Sequence, residues 1–311
     1  MKLNEMDFAN IYLGKEVYIT GPKLSQNPSV IDPNMAKGLK DLCTEKYDLT
    51  GKNEFMVEFE GVRFRASLID TIKEKVFACR KMPDKVKLLT DLGIYDGYTD
   101  LFLQPGLTGL VVIAGEFGHG KTWTASGALA ERLRNHGGVA VTLEDPIEMP
   151  LNGLHGQGVC YQTEVEKNQF GSAMHRAARW APDIIYVSEL RDSETVTEAL
   201  RAAINGKLVI STMHADQPKS ALERIFNFAN GYAGGADDVS SLMSNAFSLV
   251  VHQKLSEEGD QVVPRLTPLS FIGEDATSVK SLVRERKWEQ LISEINRQVN
   301  SHRINSRQGR S

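Results

Sequence analysis

The most restrictive feature of this 311-residue sequence is the stretch GEFGHGKTW, residues 115–123. It has the spacing Gly-x-x-x-x-Gly-Lys-Thr, which ends in Lys121 and Thr122. The apolar run before it predicts a buried strand over 107–114, and the residues after it predict a helix from about Lys121 to Asn135. A strand, a glycine loop and a helix in this order predict a loop whose backbone N–H groups bind phosphate.

Each part of this loop has an expected role. The backbone N–H groups and the helix N-terminus supply partial positive charge, and Lys121 supplies a full one. We expect Thr122 to place its hydroxyl on Mg²⁺. Because the backbone holds the anion, the carboxylate of Glu116 is compatible with binding if it points outward, and the His119 side chain is expected to be solvated or packed. The residues assigned to nucleotide binding are Gly115, Gly118, His119, Gly120, Lys121, Thr122 and Trp123.

Strands and helices are predicted to alternate after the loop. VAVTLE, DIIYVSE and KLVISTMH read as buried strands, with helices near 168–180 and from Asp192-Ser193 to Asn205-Gly206. This alternation predicts a parallel sheet with helices on both faces. Beyond residue 215 we expect helices in KSALERIFNFAN and DDVSSLMSNAFSLVVHQKL, a hairpin at about 255–273, and one amphipathic helix over SVKSLVRERKWEQLISEINRQVN.

The predicted domains follow from a change of pattern near residue 100. Residues 1–100 read as a small mixed domain with one helix in DPNMAKGLKDLCTEKYDL and a hairpin turning near Glu60-Gly61. A linker ends at about residue 106, in a Pro-Gly pair. We expect the second domain at 107–300 and a disordered polar tail at 301–311.

Acidic side chains and one histidine follow the predicted strands. Glu144, Asp145 and Glu148 lie in TLEDPIEM, and a carboxylate beside a magnesium-bound triphosphate can orient or deprotonate an attacking water. Glu189 ends the next strand and is the expected ligand of Mg²⁺. His214 follows the strand after that. Because the carboxyl ends of parallel strands share one edge of a sheet, these groups are expected beside the loop.

Five segments, in order, resemble the secretion and type IV pilus motor ATPases, most closely the retraction-type, PilT-like members. The segments are GEFGHGKT, TLEDPIEM, YQTEV, APDIIYVSELRDSETVTEAL and GKLVISTMHA. FEGVRFRASL and SVKSLVRERK extend the resemblance outward. It implies an α/β fold, with a RecA-like P-loop NTPase motor domain preceded by a small α+β, PAS-like N-terminal domain.

The resemblance also implies roles. Glu148 corresponds to the catalytic base, Glu189 to the Walker B acid and His214 to the second His-box histidine. ATP and Mg²⁺ are the implied cofactors, in a hexameric ring with nucleotide between subunits. Arginines that could sense the nucleotide, within or between subunits, are Arg63, Arg65, Arg80, Arg176, Arg179 and Arg191.

Three positions depart from the family pattern. Lys207 replaces the first His-box histidine, Thr163 replaces an arginine, and Ser188 replaces a glycine. The first two departures concern the tuning of hydrolysis. The paired-cysteine zinc element of extension-type and type II secretion members is missing, which favours a retraction-type or conjugation-type motor.

Composition limits the alternatives. The formal net charge of −4 gives no reason to expect direct nucleic-acid binding, and the three cysteines form no C-x-x-C pair. No signal or transmembrane pattern occurs, so we expect a cytoplasmic protein that reaches the inner membrane through a platform protein. Alternatives left open are a RecA-like nucleic-acid motor, a nucleotide-binding scaffold with little turnover and, more distantly, a small-molecule kinase.

Overall fold

The computed structural model describes residues 3–21, 27–94, 96–231, 235–258, 261–273 and 276–308. The chain forms two compact units. Unit 1 consists of Met1–Lys85 and Glu148–Pro150, and unit 2 of Val86–Ile147 and Leu151–Ser311. The short segment that carries Glu148 is therefore grouped with the N-terminal unit, although it lies between two strands of unit 2 in the sequence.

Unit 1 is a six-stranded antiparallel sheet with one α-helix. The strands are β1 (Asn10–Leu13), β2 (Val17–Thr20), β3 (Ser29–Ile31), β4 (Glu54–Phe59), β5 (Val62–Asp70) and β6 (Lys75–Lys81), in the order β3-β2-β1-β6-β5-β4. The helix α1 (Lys37–Thr50) follows a 3-10 turn at Pro33–Ala36. Its buried residues Leu39 and Cys43 pack against Phe64 and Phe77 of the sheet, and this contact forms the core.

The hairpin predicted near residues 60 and 61 is confirmed. Glu60 and Gly61 join β4 to β5, and both have positive φ angles, of 50° and 75°. A two-residue turn with both residues in the left-handed region matches the twist of the flanking strands.

Unit 2 contains an eight-stranded mixed sheet. Its strands are β7 (Gly109–Ala114), β8 (Gly138–Glu144), β9 (Gly153–His155), β10 (Gly158–Glu164), β11 (Ile184–Val187), β12 (Leu208–Met213), β13 (Phe247–Glu258) and β14 (Gln261–Ser270). The order is β14-β13-β7-β12-β11-β8-β10-β9. The six central strands are parallel, and the edge strands β14 and β9 are antiparallel to their neighbours.

Helices cover both faces of this sheet. They are α2 (Asp96–Leu103), α3 (Lys121–His136), α4 (Phe170–Arg179), α5 (Ser193–Ile204), α6 (Pro218–Asn230), α7 (Ala236–Ala246), α8 (Ala276–Arg284) and α9 (Leu291–Gln308). One core cluster joins α4–α7 to Val112, Leu143 and Val187 of the sheet. The helix α3 contacts β7 and β8, which carry Val112 and Leu143, without belonging to that cluster, so it lies on the opposite face. The predicted α/β class is confirmed.

Local signals explain where α5 begins. Its N-cap Asp192 has an extended backbone, and its Oδ1 accepts a hydrogen bond from the Thr195 backbone N–H at 2.8 Å. This bond satisfies one of the N–H groups that have no partner within the first turn of a helix. The N-cap expected at residues 192–193 is therefore found at Asp192.

The segment after α7 corrects one prediction. The helix expected through DDVSSLMSNAFSLVVHQKL ends at Ala246, and Phe247 begins β13. The apolar spacing of this segment fits a helix, but Val250 and Val251 are β-branched and pair in parallel with β7. The hairpin predicted at about 255–273 is consequently longer, and its turn at 259–260 lies outside the described residues.

The C-terminal helix is also not continuous. Arg286 adopts a φ angle of 57°, so α8 ends at Arg284 and α9 begins at Leu291 after a short 3-10 turn. A left-handed residue inside the segment ends the α-helical hydrogen-bonding pattern. The structure continues α9 to Gln308 where the sequence suggests a disordered tail from residue 301, and residues 309–311 lie outside the described part of the chain.

Candidate nucleotide-binding site

The phosphate loop connects β7 to α3 at the carboxyl edge of the unit 2 sheet. Gly118 and Gly120 have φ angles of 79° and 76°, which glycine adopts without strain. Lys121 is the first residue of α3 and is largely buried, and its ammonium donates a hydrogen bond to the Glu116 carbonyl at 2.8 Å. The loop therefore places a full positive charge and a helix N-terminus at one point, as an anion site requires.

The less usual side chains of the loop avoid its phosphate-binding backbone. The Glu116 side chain is 73% exposed, so its carboxylate is solvated. His119 Nδ1 accepts a hydrogen bond from the Leu255 backbone N–H at 3.0 Å, and Nε2 lies 3.6 Å from a Glu116 carboxylate oxygen. The ring of Phe117, 84% exposed, stacks on that of His214, with centroids 6.4 Å apart and planes 13° apart. The side chains thus connect the loop to two neighbouring strands.

The first helical turn carries two further assigned residues. Thr122 and Trp123 are both half-buried. The ammonium of Lys87 lies 5.8 Å from the Trp123 ring centroid, within the range of a cation–π contact. Trp123 therefore packs beside the segment that precedes α2.

Two acidic residues lie at the end of β8. Glu144 is only 1% exposed, and one of its carboxylate oxygens accepts a hydrogen bond from Gln162 Nε2 of β10 at 2.7 Å. Asp145 pairs with Arg191 at 3.1 Å, and the Arg191 guanidinium lies over the Phe170 ring. Of these two carboxylates, Glu144 is held inside the sheet and Asp145 faces a cation at its edge.

Glu189 and His214 follow the adjacent strands β11 and β12. His214 Nε2 lies 3.6 Å from Glu189 Oε1, and both side chains are partly exposed. The Leu190 backbone N–H donates to the Thr212 carbonyl at 3.0 Å, and the Thr212 hydroxyl donates to the Ser188 carbonyl at 2.6 Å. These bonds fix the two strand ends to each other, and β12 lies directly beside β7, so the pair lies next to the loop.

Glu148 and three of the candidate arginines belong to unit 1. Arg65 Nη1 lies 3.3 Å from Glu148 Oε1, and Arg65 Nη2 lies 3.4 Å from Glu54 Oε2. Arg63 donates to the Pro83 carbonyl at 3.0 Å, and Arg80 is exposed on β6. Arg65 is thus the unit 1 candidate arginine in contact with a candidate catalytic carboxylate.

The remaining candidate arginines lie on α4. Arg176 and Arg179 are both exposed, and Arg176 Nη1 donates to the Ser172 hydroxyl at 3.4 Å. Neither makes an ion pair within the described residues. Their exposed guanidinium groups leave them accessible to another molecule.

Thr163 and Lys207, two of the residues that depart from the family pattern, lie in different parts of the unit 2 sheet. Thr163 lies in β10, and its hydroxyl donates to the Thr142 carbonyl of β8. Lys207 precedes β12, whereas His214 follows it. At about 3.3 Å per residue, the strand separates these two positions by roughly 20 Å. Lys207 is therefore at the edge of the sheet opposite the phosphate loop.

Burial shifts the pKa of two groups near the site. Burial, with a smaller effect of the Glu144 carboxylate, raises the pKa of Cys160 to about 12. Burial also lowers the pKa of His252, against the opposing effect of Asp216. Both groups are therefore favoured in their neutral forms.

Two glutamines that contact the site, the half-buried Gln162 and the buried Gln253, were not singled out from the sequence. Gln162 bonds to Glu144, and Gln253 of β13 bonds to the phosphate loop. A polar residue between apolar neighbours of a strand, as in LVVHQKL, is the signal that could have found Gln253, because a buried amide needs partners. Its partner positions could not have been read from the sequence.

A phosphate loop at the carboxyl edge of a mainly parallel sheet, with an acid and a histidine on adjacent strands, defines a P-loop protein of the RecA-like class. The family described as "Type II/IV secretion system protein" matches residues 41–300, and the chain belongs to this family.

Individual relatives agree with this placement. The chain is 31% identical over 255 residues to the type IV pilus retractation ATPase PilT of Pseudomonas aeruginosa, covering 78% of this chain and 69% of that protein. A crystal structure of the pilus retraction motor PilT with bound ADP has a TM-score of 0.79 at 25% identity, covering 94% of this chain and 89% of that one. The Legionella pneumophila ATPase DotB shares the fold, with a TM-score of 0.73 at 21% identity and coverage of 91% and 83%.

Proposed function

We propose that this chain is a Mg²⁺-dependent ATPase that works as a hexameric ring and powers pilus retraction or a related type II/IV secretion or conjugation machine. The observation that carries the proposal is the phosphate loop next to the Glu189–His214 pair. The family, the 31% identical retraction ATPase and the similar structure with bound ADP support it.

The loop residues bind the nucleotide. Backbone N–H groups between Gly115 and Lys121, together with the N-terminus of α3, hold the phosphates, and the Lys121 ammonium neutralises their charge. Lys121 is preorganised for this task because its hydrogen bond to the Glu116 carbonyl keeps the side chain at the loop.

The donor set beside the loop fits Mg²⁺. The Thr122 hydroxyl and the Glu189 carboxylate are oxygen donors, the type that this ion prefers. Within the described residues, no group of three or more acidic, histidine or cysteine side chains is placed to hold a metal alone. The ion held by Thr122 and Glu189 would supply positive charge that offsets the charge of the phosphates.

The remaining roles belong to side chains that move protons or report on the phosphate. Glu148 orients and deprotonates the attacking water, because a carboxylate in this segment corresponds to the family's catalytic base. His214 contacts both Glu189 and the loop residue Phe117, so it is placed to respond to the terminal phosphate. Arg65 and Arg191, each paired with a carboxylate, are the arginines we expect to change partners during the cycle.

A ring motor also needs neighbours. Arg80, Arg176 and Arg179 are exposed, and a guanidinium that reaches the nucleotide of a neighbouring subunit would stabilise the transferred charge. We expect the ring in the cytoplasm, acting on an inner-membrane platform protein and not on nucleic acid. Among the described residues, no helix combines the length and apolar character needed to span a membrane.

The test compares ATP turnover in the wild type, Glu189→Gln and Glu148→Gln variants of the purified oligomer. Both variants should lose roughly 100-fold or more of steady-state turnover and still bind a fluorescent ADP analogue. Glu257→Gln, which changes an exposed carboxylate on β13, is the control and should retain wild-type turnover.

Three outcomes would contradict parts of the proposal. Full turnover in either variant removes that residue from catalysis. A wild type that binds ADP without turnover is a nucleotide-binding scaffold. Stimulation of turnover by added DNA or RNA would instead support a nucleic-acid motor.

A further inference from the structure

Gln253 lies in β13, the strand that borders β7 and its phosphate loop. It is 1% exposed and is flanked by the half-buried His252 and the exposed Lys254. A buried primary amide offers two N–H donors and one carbonyl acceptor. Burying any of these groups without a partner destabilises the fold. The position of its partners therefore indicates why the chain keeps an amide here.

Both ends of this amide bind the nucleotide site. Gln253 Nε2 donates to the His119 carbonyl at 2.7 Å, and its Oε1 accepts from the Thr124 hydroxyl at 2.6 Å. His119 is in the loop and Thr124 is in the first turn of α3. A single side chain, 134 and 129 residues away in the sequence, thus joins the loop to the helix that follows it.

The bond to the carbonyl sets the orientation of one peptide unit. In a planar trans peptide, the C=O of His119 and the N–H of Gly120 point in opposite directions. Because Gln253 binds the carbonyl on the β13 side, the Gly120 N–H is directed away from β13. N–H groups that point to one side of a glycine loop are the groups that bind phosphate.

The strand also contacts the loop at other points. A Cβ on Gly115 would lie 2.5 Å from the backbone carbonyl oxygen of Gln253. A Cβ on Gly120 would lie 3.1 Å from the side-chain Nε2 of Gln253. The Leu255 backbone N–H donates to His119 Nδ1 at 3.0 Å. The glycines at both ends of the loop therefore permit β13 to approach, and the strand contacts the loop at both of its ends.

We infer that Gln253 is a positioning residue for nucleotide binding: it orients the peptide between His119 and Gly120 so that its N–H faces the phosphates. This inference rests on the proposed function of the loop. Gln253 does not touch the nucleotide in this arrangement, and it acts through the loop backbone.

The experiment compares two substitutions with a neighbouring control. Gln253→Leu removes both hydrogen bonds at similar volume. Gln253→Glu keeps the acceptor for Thr124 and places a second acceptor against the His119 carbonyl. Lys254→Gln changes the adjacent exposed side chain. The affinity for a fluorescent ADP analogue should fall roughly tenfold or more in both Gln253 variants and stay within about twofold in the control.

A third variant separates positioning from general stabilisation. Thr124→Val removes only the bond to Gln253 Oε1 and leaves the bond to the His119 carbonyl in place. It should weaken ADP binding less than about threefold, even where urea unfolding shows that it destabilises the fold as much as Gln253→Leu. An equal loss of affinity in Thr124→Val and Gln253→Leu would overturn the inference.

Hydrogen exchange tests the same idea without nucleotide. Amides of residues 116–121 should exchange faster in Gln253→Leu than in the wild type or in Lys254→Gln. A wild type that fails to bind ADP contradicts the proposed function, but faster exchange would still support the positioning role. Folded Gln253 variants with unchanged ADP affinity and unchanged loop exchange would refute that role.

Discussion

Replacement of Gln162 by glutamate tests how the buried Glu144 is held at the end of β8. Gln162 Nε2 donates to Glu144 Oε1 at 2.7 Å, and Gln162 Oε1 accepts from the backbone N–H groups of Leu151 and Asn152, both at 2.8 Å. Gln162→Glu keeps an acceptor for the two N–H groups. It also removes the donor to Glu144 and brings a second carboxylate into direct contact with it.

The magnitude follows from the geometry. At an effective dielectric constant of about 20, two charges about 4 Å apart repel by about 4 kcal/mol. Binding of one proton by the pair removes this repulsion, so the pKa of the pair rises above that of a free glutamate. The folded variant then binds more protons than the unfolded chain at intermediate pH, and its stability falls as pH rises through the raised pKa.

Urea unfolding at pH 5 and pH 8 measures this effect. We expect Gln162→Glu to lose about 2–4 kcal/mol relative to the wild type at pH 8 and to regain much of it at pH 5. Gln162→Leu loses three hydrogen bonds, also about 2–4 kcal/mol, with little dependence on pH. Gln157→Glu adds the same charge at an exposed position before β10 and should behave like the wild type at both pH values.

One result would refute this reasoning. If Gln162→Glu and Gln162→Leu show the same loss of stability at pH 5 and at pH 8, the new carboxylate is not adjacent to Glu144. The contact between the Gln162 amide and the Glu144 carboxylate would then have no part in holding the end of β8.

Two further predictions concern the groups whose pKa burial shifts. His252 has a pKa lowered in the folded state, so its contribution to stability is present above the usual histidine pKa and is lost as pH falls from about 7 to 5. Urea unfolding of His252→Gln should therefore show a smaller loss over this range than the wild type, and an equal loss would contradict the assignment. Burial raises the pKa of Cys160 to about 12, so its thiol should resist iodoacetamide at pH 8 until urea unfolds the protein. Mass spectrometry of the peptide that contains Cys160 measures the labelling. Rapid labelling of the native protein would contradict the prediction.

The parts of the fold that were predictable are those set by local chemistry. The apolar run, the glycine spacing and the residues that follow predicted the strand, the loop and the helix around Lys121, and Asp192 predicted the start of α5. Continuous apolar runs predicted the central strands, because strands covered on both faces need no polar alternation. These signals depend on neighbours in the sequence, so they can be interpreted without knowledge of the tertiary structure.

The parts that were missed depend on distant partners. The segment that begins at Phe247 has apolar residues that suit a helix, and pairing with β7 makes it a strand. No strand was predicted in YQTEV, yet its first four residues, 161–164, lie in β10 through parallel pairing with β8. The break at Arg286 has no glycine or proline to announce it.

The same distinction applies to the candidate site. Motif spacing located Lys121, Glu189 and His214, and the structure places them at neighbouring strand ends. Motif spacing could not show that Gln162 and Gln253 contact the site, because each of them contacts groups that are distant in the sequence. The partners of an amide within a strand are known only from the structure, even where the amide lies in a recognised segment such as YQTEV.

The two glutamines indicate how the site combines fixed and variable parts. An amide is donor and acceptor at once and carries no charge, so Gln162 can bind the buried Glu144, and Gln253 the buried Thr124, without the desolvation cost of an ion pair. The charged pairs Asp145–Arg191 and Glu189–His214 are partly exposed, where water and salt keep an ion pair weak. Weak pairs exchange partners at little cost, whereas breaking the hydrogen bonds of the buried Gln253 amide or of the buried Glu144 carboxylate leaves polar groups unsatisfied. Under the proposed function, Gln253 would therefore hold the loop backbone and Gln162 the Glu144 carboxylate, and the partly exposed charged side chains would be the ones to respond to nucleotide.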